Sequence, residues 1–203
     1  LWTPLYDSFQ LYILGFTVGL IGMVRVVALA GGTRGIAEFL AARAGGARSA
    51  AGATYLMGLA IFFDDYANTL VVGTTMRPLA DRFRLSREKL AYLVDSTAAP
   101  VAGIAVVSTW IGYEVGLFDE FMRQLDTGVS GYELFFMALP LRFYCLLSLL
   151  FVGLVTFLRR DFGPMLKAER RALHTGALIA AADTPMSGKN AQAIEPPSGI
   201  ACH

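Results

Sequence analysis

Four stretches of this chain are apolar over a length that suits a lipid bilayer: residues 11–29, 50–72, 90–117 and 134–158. A helix rises about 1.5 Å per residue and a bilayer core is about 30 Å thick, so roughly 20 apolar residues make one crossing. Trp2, Tyr6 and Tyr12 head the first stretch, where amphipathic rings anchor a helix at the water interface. Beyond the last stretch, residues 183–203 are rich in Pro, Gly, Ser and Ala without periodicity, which predicts a flexible segment. The expected fold class is all-α, a polytopic helical membrane protein with a partial transmembrane domain over 1–175 and a flexible cytoplasmic tail over 176–203.

Polar residues interrupt two of these stretches. Ile61-Phe62-Phe63-Asp64-Asp65-Tyr66-Ala67-Asn68-Thr69-Leu70 sets two adjacent carboxylates inside 50–72. An ionised aspartate in hydrocarbon costs several kcal/mol, so acids at this depth face a bundle interior or a water path and mark ion or proton handling. Asp95-Ser96-Thr97-Ala98-Ala99-Pro100 interrupts 90–117, and Pro100 removes a helix donor while biasing Ala99 away from helical geometry. A helix break is therefore expected at Pro100. Opposed half-helix ends at such a break free amides and carbonyls for ions and anionic solutes near the midplane.

Composition supports the membrane class, since 55% hydrophobic and 16% charged residues in 203 is too apolar for an ordinary soluble domain. A formal net charge of +1 gives no field for nucleic acid. Cys145 and Cys202 have neither metal-ligand spacing nor a disulfide framework. The chain begins at Leu1 without a recognisable secretory signal, and a fragment of a longer protein is expected.

Charge placement predicts topology, because Lys and Arg accumulate on the cytoplasmic side. Arg34, Arg43 and Arg48 precede the aspartate stretch, while Arg77, Arg82, Arg84, Arg87 and Lys89 follow it. Arg159, Arg160, Lys167, Arg170 and Arg171 follow the last stretch, whereas Arg123 lies among Asp119, Glu120, Asp126 and Glu133 in a loop expected outside. Both flanks of 50–72 thus belong to one side. A re-entrant hairpin reconciles them, with 50–63 descending, 64–69 as the tip and 70–79 returning.

The blocks Gly31-Gly32-Thr33-Arg34-Gly35-Ile36-Ala37-Glu38, Phe62 to Thr69, Arg87 to Pro100 and Asp161-Phe162-Gly163-Pro164-Met165-Leu166 resemble the NhaC-type sodium/proton antiporter family over roughly residues 15–175. The resemblance implies an inner (plasma) membrane, multi-pass secondary transporter built from inverted repeats, each with a hairpin and a broken helix. It also implies that this chain corresponds to roughly the first half of such a transporter. The family also covers exchangers of amino acids and organic acids, so sodium/proton antiport and proton- or sodium-coupled exchange of such a solute both remain open, as does a non-transporting membrane subunit. The lipid bilayer and either a missing second half or a second copy are the implied partners. No cofactor is implied; Na+ and H+ are cargo.

The candidate ion or proton site comprises Asp64, Asp65, Asn68, Thr69, Asp95, Ser96 and Thr97. A sodium ion takes oxygen ligands, which carboxylates, Asn and Thr side chains and freed carbonyls supply. Burial without partners favours a protonated carboxylate and a nearby cation favours an ionised one, so proton and cation can compete. Helix capping is the bland alternative for Asp64, Asp65, Asp95, Ser96 and Thr97. Consecutive helical residues diverge by about 100°, so Asp64 and Asp65 share one ion only if the backbone unwinds. Arg25 is expected to snorkel toward headgroups, the glycines at 31–35 to make a tight turn, and Phe62, Phe63, Phe135 and Phe136 to pack or face lipid. His174 is assigned no role. Intramembrane proteolysis would require Asp64 or Asp65 opposed to Asp95, and the chain lacks the Gly-x-Gly-Asp pattern expected of such an enzyme.

Overall fold

A computed structural model of the chain describes residues 45–158 and 160–180, together with a subset of positions between 11 and 43. Among the described residues there is helix and no strand, in agreement with the all-α expectation. The described positions from 11 to 29 are helical, and a turn follows at Ala30 and Gly31, where φ of 82° favours glycine. Trp2, Tyr6, Arg25, Thr33, Arg34 and Cys202 lie outside the described residues.

Seven α-helices follow: α1 Ala47–Ala60, α2 Asp65–Arg82, α3 Arg87–Ile104, α4 Thr109–Gln124, α5 Gly131–Ala138, α6 Phe143–Leu158 and α7 Gly163–Thr175. A 3-10 turn, Leu139–Leu141, separates α5 from α6. Serine opens three of the helices by the same chemistry. The hydroxyls of Ser86, Ser108 and Ser130 accept from the amides of Lys89, Ile111 and Glu133, each satisfying an orphan donor of the first turn. Pro164 starts α7 and Gly176, with φ of 72°, ends it.

Helices α1, α2, α3 and α6 form the bundle. Ala50 and Ala51 near the start of α1 share a core with Met76, Leu79 and Ala80 near the end of α2, so the two helices fold back on one another. Leu90, Leu93 and Val94 of α3 and Val152 of α6 complete that core. Small residues set the spacing, as in helix contacts within membranes. A Cβ on Gly153 would come 3.2 Å from the Tyr55 hydroxyl, which donates to Leu149 O on α6 at 3.1 Å. A satellite core of Ile111, Val115 and Phe135 joins α4 to α5. Leu147, Leu150, Leu154 and Leu158 leave α6 with an exposed apolar face. Two helical stretches, Arg87–Gln124 and Phe143–Thr175, are long and apolar enough to cross a bilayer.

Three details differ from expectation. The irregular connector between α1 and α2 is 61–64, and the expected tip at 64–69 is helical from Asp65 onward because Asp64 caps α2. Helix α3 runs unbroken through Asp95–Pro100 to Ile104, and the interruption falls at 105–108. Pro100 deprives Ser96 O of its usual amide donor, and Ser148 Oγ on α6 supplies a hydrogen bond to that carbonyl at 3.4 Å. Finally, the start of the expected tail is docked: Arg87 N donates to Leu178 O at 3.0 Å, and Arg171 Nε donates to Ala177 O at 3.1 Å.

Candidate functional site

The two interruptions meet. Thr109 N, at the head of α4, donates to Phe63 O at 3.0 Å, joining the connector at 105–108 to the one at 61–64. Asp64 reinforces the junction from within. Its Oδ1 accepts from Ala67 N at 2.8 Å and its Oδ2 accepts from Thr109 Oγ1 at 3.0 Å. Only 7% of Asp64 is exposed. One buried carboxylate therefore sits at the N-termini of both α2 and α4, where unsatisfied amides and the helix dipoles favour negative charge. Capping is thus an observed role of Asp64.

Asn68, wholly buried, lies one turn further along α2. Its Nδ2 donates to Gly58 O at 2.6 Å and to Ile61 O at 2.7 Å, closing the C-terminal end of α1. Its Oδ1 is buried with no partner among the described residues, and the same holds for Asp65 Oδ1. Thr97, also wholly buried, donates to Leu93 O and Val94 O of its own helix. Gly58 separates Asn68 from Thr97: a Cβ there would lie 2.9 Å from Thr97 Cβ and closer still to Thr97 Oγ1.

Thr69 and Asp95 are exposed and line a cleft of about 550 Å³ between α2 and α3. Ser96, half-buried, contributes its carbonyl to Ser148. The seven sequence candidates thus occupy distinct settings: Asp64 at the junction, Asp65 at the first position of α2, Asn68 and Thr97 on either side of Gly58, Thr69 and Asp95 in the cleft, and Ser96 against α6. Among the described residues no three His, Cys, Asp or Glu side chains converge as a metal cluster. A cation at the junction would consequently rest on one or two carboxylates and neutral oxygens.

Sequence reasoning missed the second charged cluster. Arg142 Nη1 donates to Gly103 O at 2.9 Å in the last turn of α3, its Nη2 pairs with Glu114 of α4, and its Cζ lies 5.0 Å from the Phe135 ring centroid. One guanidinium thereby braces both sides of the 105–108 interruption. Arg142 and Glu114 lie in apolar stretches, so the rule that singled out Asp64 would also have found them. Thr109 and Ser108 carried an ordinary N-cap signal ahead of an apolar helix.

The basic end of the bundle is tied by ion pairs. Lys89 of α3 bonds Asp161, both almost wholly buried, while Glu88 accepts from Arg171 through both carboxylate oxygens at 2.7 and 2.9 Å. Glu169 of α7 accepts from Ser86 N at 2.8 Å and Ser86 Oγ at 2.6 Å. These contacts bring the blocks beginning at Arg87 and Asp161 together.

Residues 101–193 match the Na+/H+ antiporter family, a range that contains Thr109, Glu114 and Arg142 and follows Asp64 to Thr97. The chain is also 33% identical over 152 residues to an "Uncharacterized protein" of Haemophilus influenzae, an alignment covering 74% of this chain and 29% of that protein. No solved structure matches. The chain therefore spans well under half the length of this relative. Through residues 101–193 the chain is similar to the Na+/H+ antiporter family, and that stretch contains Thr109, the partner of Asp64.

Proposed function

We propose that this chain forms part of a multi-pass secondary transporter exchanging sodium for protons across the inner (plasma) membrane. The observation that carries the reading is Asp64, a buried carboxylate where two interrupted helices meet. When Asp64 holds a proton, a sodium ion entering the junction displaces it: one O–H bond breaks, one proton leaves, and the ion takes the carboxylate. Net charge at the site is unchanged. Asp65 Oδ1 and Asn68 Oδ1 supply further oxygens without losing existing partners. The Thr109 hydroxyl reports the exchange to α4.

The hairpin enters the same proposal. Helix α1 has 14 residues, a length of about 21 Å and short of the bilayer core. Basic residues stand on both flanks of α1 and α2, which supports a re-entrant pair with 61–64 buried in the membrane. The rest of the bundle comes from further helices of a longer chain or from a second copy. This is supported by the 29% coverage of the relative and the exposed apolar face of α6. Proteolysis gains no support, since Asp64 faces Thr109 while Asp95 lines the cleft.

The test is sodium-driven proton movement in vesicles containing the full-length protein. Asp64→Asn removes the charge at nearly constant size, so exchange should collapse while membrane insertion persists. Exchange at the unmodified rate and pH dependence would leave Asp64 as a cap alone. Cysteines at Arg43 and Arg84 should label from the same side; labelling from opposite sides would overturn the hairpin.

A further inference from the structure

The cleft between α2 and α3 has a chemistry that the ion junction does not use. Thr69, Gly73 and Arg77 recur every four residues on α2, and Arg87, Ala91 and Asp95 do the same on α3. Such spacing places each set along one helix face. Because the helices run in opposite directions, Arg77 and Arg87 share the mouth, Gly73 and Ala91 the middle, and Thr69 and Asp95 the inner end. The mouth lies at the basic end of the bundle, about 12 Å along either helix from the inner end.

At the mouth, Arg87 Nη2 pairs with Asp81 at 2.8 Å, while Arg87 Nε and Nη1 are buried with no partner among the described residues. Arg77 makes no hydrogen bond or ion pair among the described residues, and the two guanidiniums repel one another electrostatically. Glu88, the carboxylate beside them, is already held by Arg171. Two guanidiniums with unused donors, lining one mostly apolar cleft, call for an anion that carries a hydrocarbon tail. Gly73 leaves open space where a side chain would stand.

The geometry points to a binding site for an anionic phospholipid, with its phosphate between Arg77 and Arg87 and an acyl chain lying over Gly73, Ala91 and Val94. The mouth faces the leaflet where the basic residues gather, and anionic headgroups concentrate against such residues. The assignment rests on the membrane reading of the bundle and not on which ion it moves. Asp95, at the inner end, is too far from the phosphate to oppose it directly.

Native mass spectrometry of the full-length protein, titrated with phosphatidylglycerol or phosphatidylcholine, reads occupancy without reference to transport. The unmodified protein should bind phosphatidylglycerol several-fold better. Arg77→Gln, which breaks no hydrogen bond or ion pair among the described residues, should weaken phosphatidylglycerol binding about fivefold and phosphatidylcholine binding little. Ala91→Trp should reduce both by filling the cleft, with circular dichroism confirming that helix content is kept. Equal binding of the two lipids, or an Arg77→Gln protein with unaltered preference, would overturn the site. Displacement of the lipid by millimolar hexanoate or inorganic phosphate would reassign the guanidiniums to a soluble anion. Loss of exchange in Asp64→Asn with lipid preference intact would separate the two sites.

Discussion

Asp64 Oδ2 accepts a hydrogen bond from Thr109 Oγ1 at 3.0 Å, linking residues 45 positions apart that cap different helices. The contact gives α4 a direct register of the state of the carboxylate. Thr109→Val keeps the shape and removes the donor, with an expected stability loss of about 1 kcal/mol. Sodium-driven exchange should shift its pH dependence while the amount of inserted protein stays constant. An unchanged pH profile would show that the hydroxyl merely completes the cap.

Gly58 admits no side chain. In Gly58→Ala the new Cβ meets Thr97, with an overpacking cost of about 1–3 kcal/mol. Pairing it with Thr97→Ala removes the nearest oxygen, so the double variant should recover part of the loss, a non-additivity expected of touching residues. Thermal unfolding in detergent measures the cycle. Additive losses would mean that α1 and α3 do not meet through these two residues.

Ser148 and Pro100 should be coupled in the same way. Ser148→Ala removes the donor that serves Ser96 O, a loss of about 1 kcal/mol. In a Pro100→Ala background the regained amide serves that carbonyl, so Ser148→Ala should then cost close to nothing. Equal costs in both backgrounds, measured by unfolding, would place the role of Ser148 elsewhere.

Removing one member of a buried ion pair costs more than removing both. Lys89→Met strands Asp161 and should destabilise the protein by about 3–5 kcal/mol. Adding Asp161→Leu should restore most of that loss. Limited proteolysis after α6 reports the outcome directly, since release of α7 exposes 161–175. Failure of the second change to rescue would show that Asp161 has another partner to lose.

The chain's helices and the neighbourhood of its interruptions could be read from local patterns; their positions could not. Asp64 stands out as an intrusion in an apolar run, yet its capping bond makes 65–69 helical where the pattern suggests an irregular tip. Pro100 carried the strongest local breaking signal, and Ser148, 48 positions later, annulled it. The actual interruption at 105–108 has weaker marks, two β-branched valines before a serine cap. The sequence places Asn68 and Thr97 in one polar site, but Gly58, whose bareness admits Thr97 and whose carbonyl accepts from Asn68, carries no signal by itself. Partners from distant segments act at Pro100 and at Gly58, whereas the cap at Asp64 and the serine cap at Ser108 are local.

The Lys89–Asp161 pair also sets an order of events during synthesis. Its members are 72 positions apart, so at about 5–20 residues per second a ribosome adds Asp161 roughly 4–14 s after Lys89. Throughout that interval the ammonium at the head of α3 lacks the carboxylate with which it pairs in the finished bundle. The late arrival of the 161–166 block fastens a helix made much earlier. A chain halted before residue 161 would leave the basic end of its bundle unlatched, a form that quality-control proteases could distinguish from the finished one.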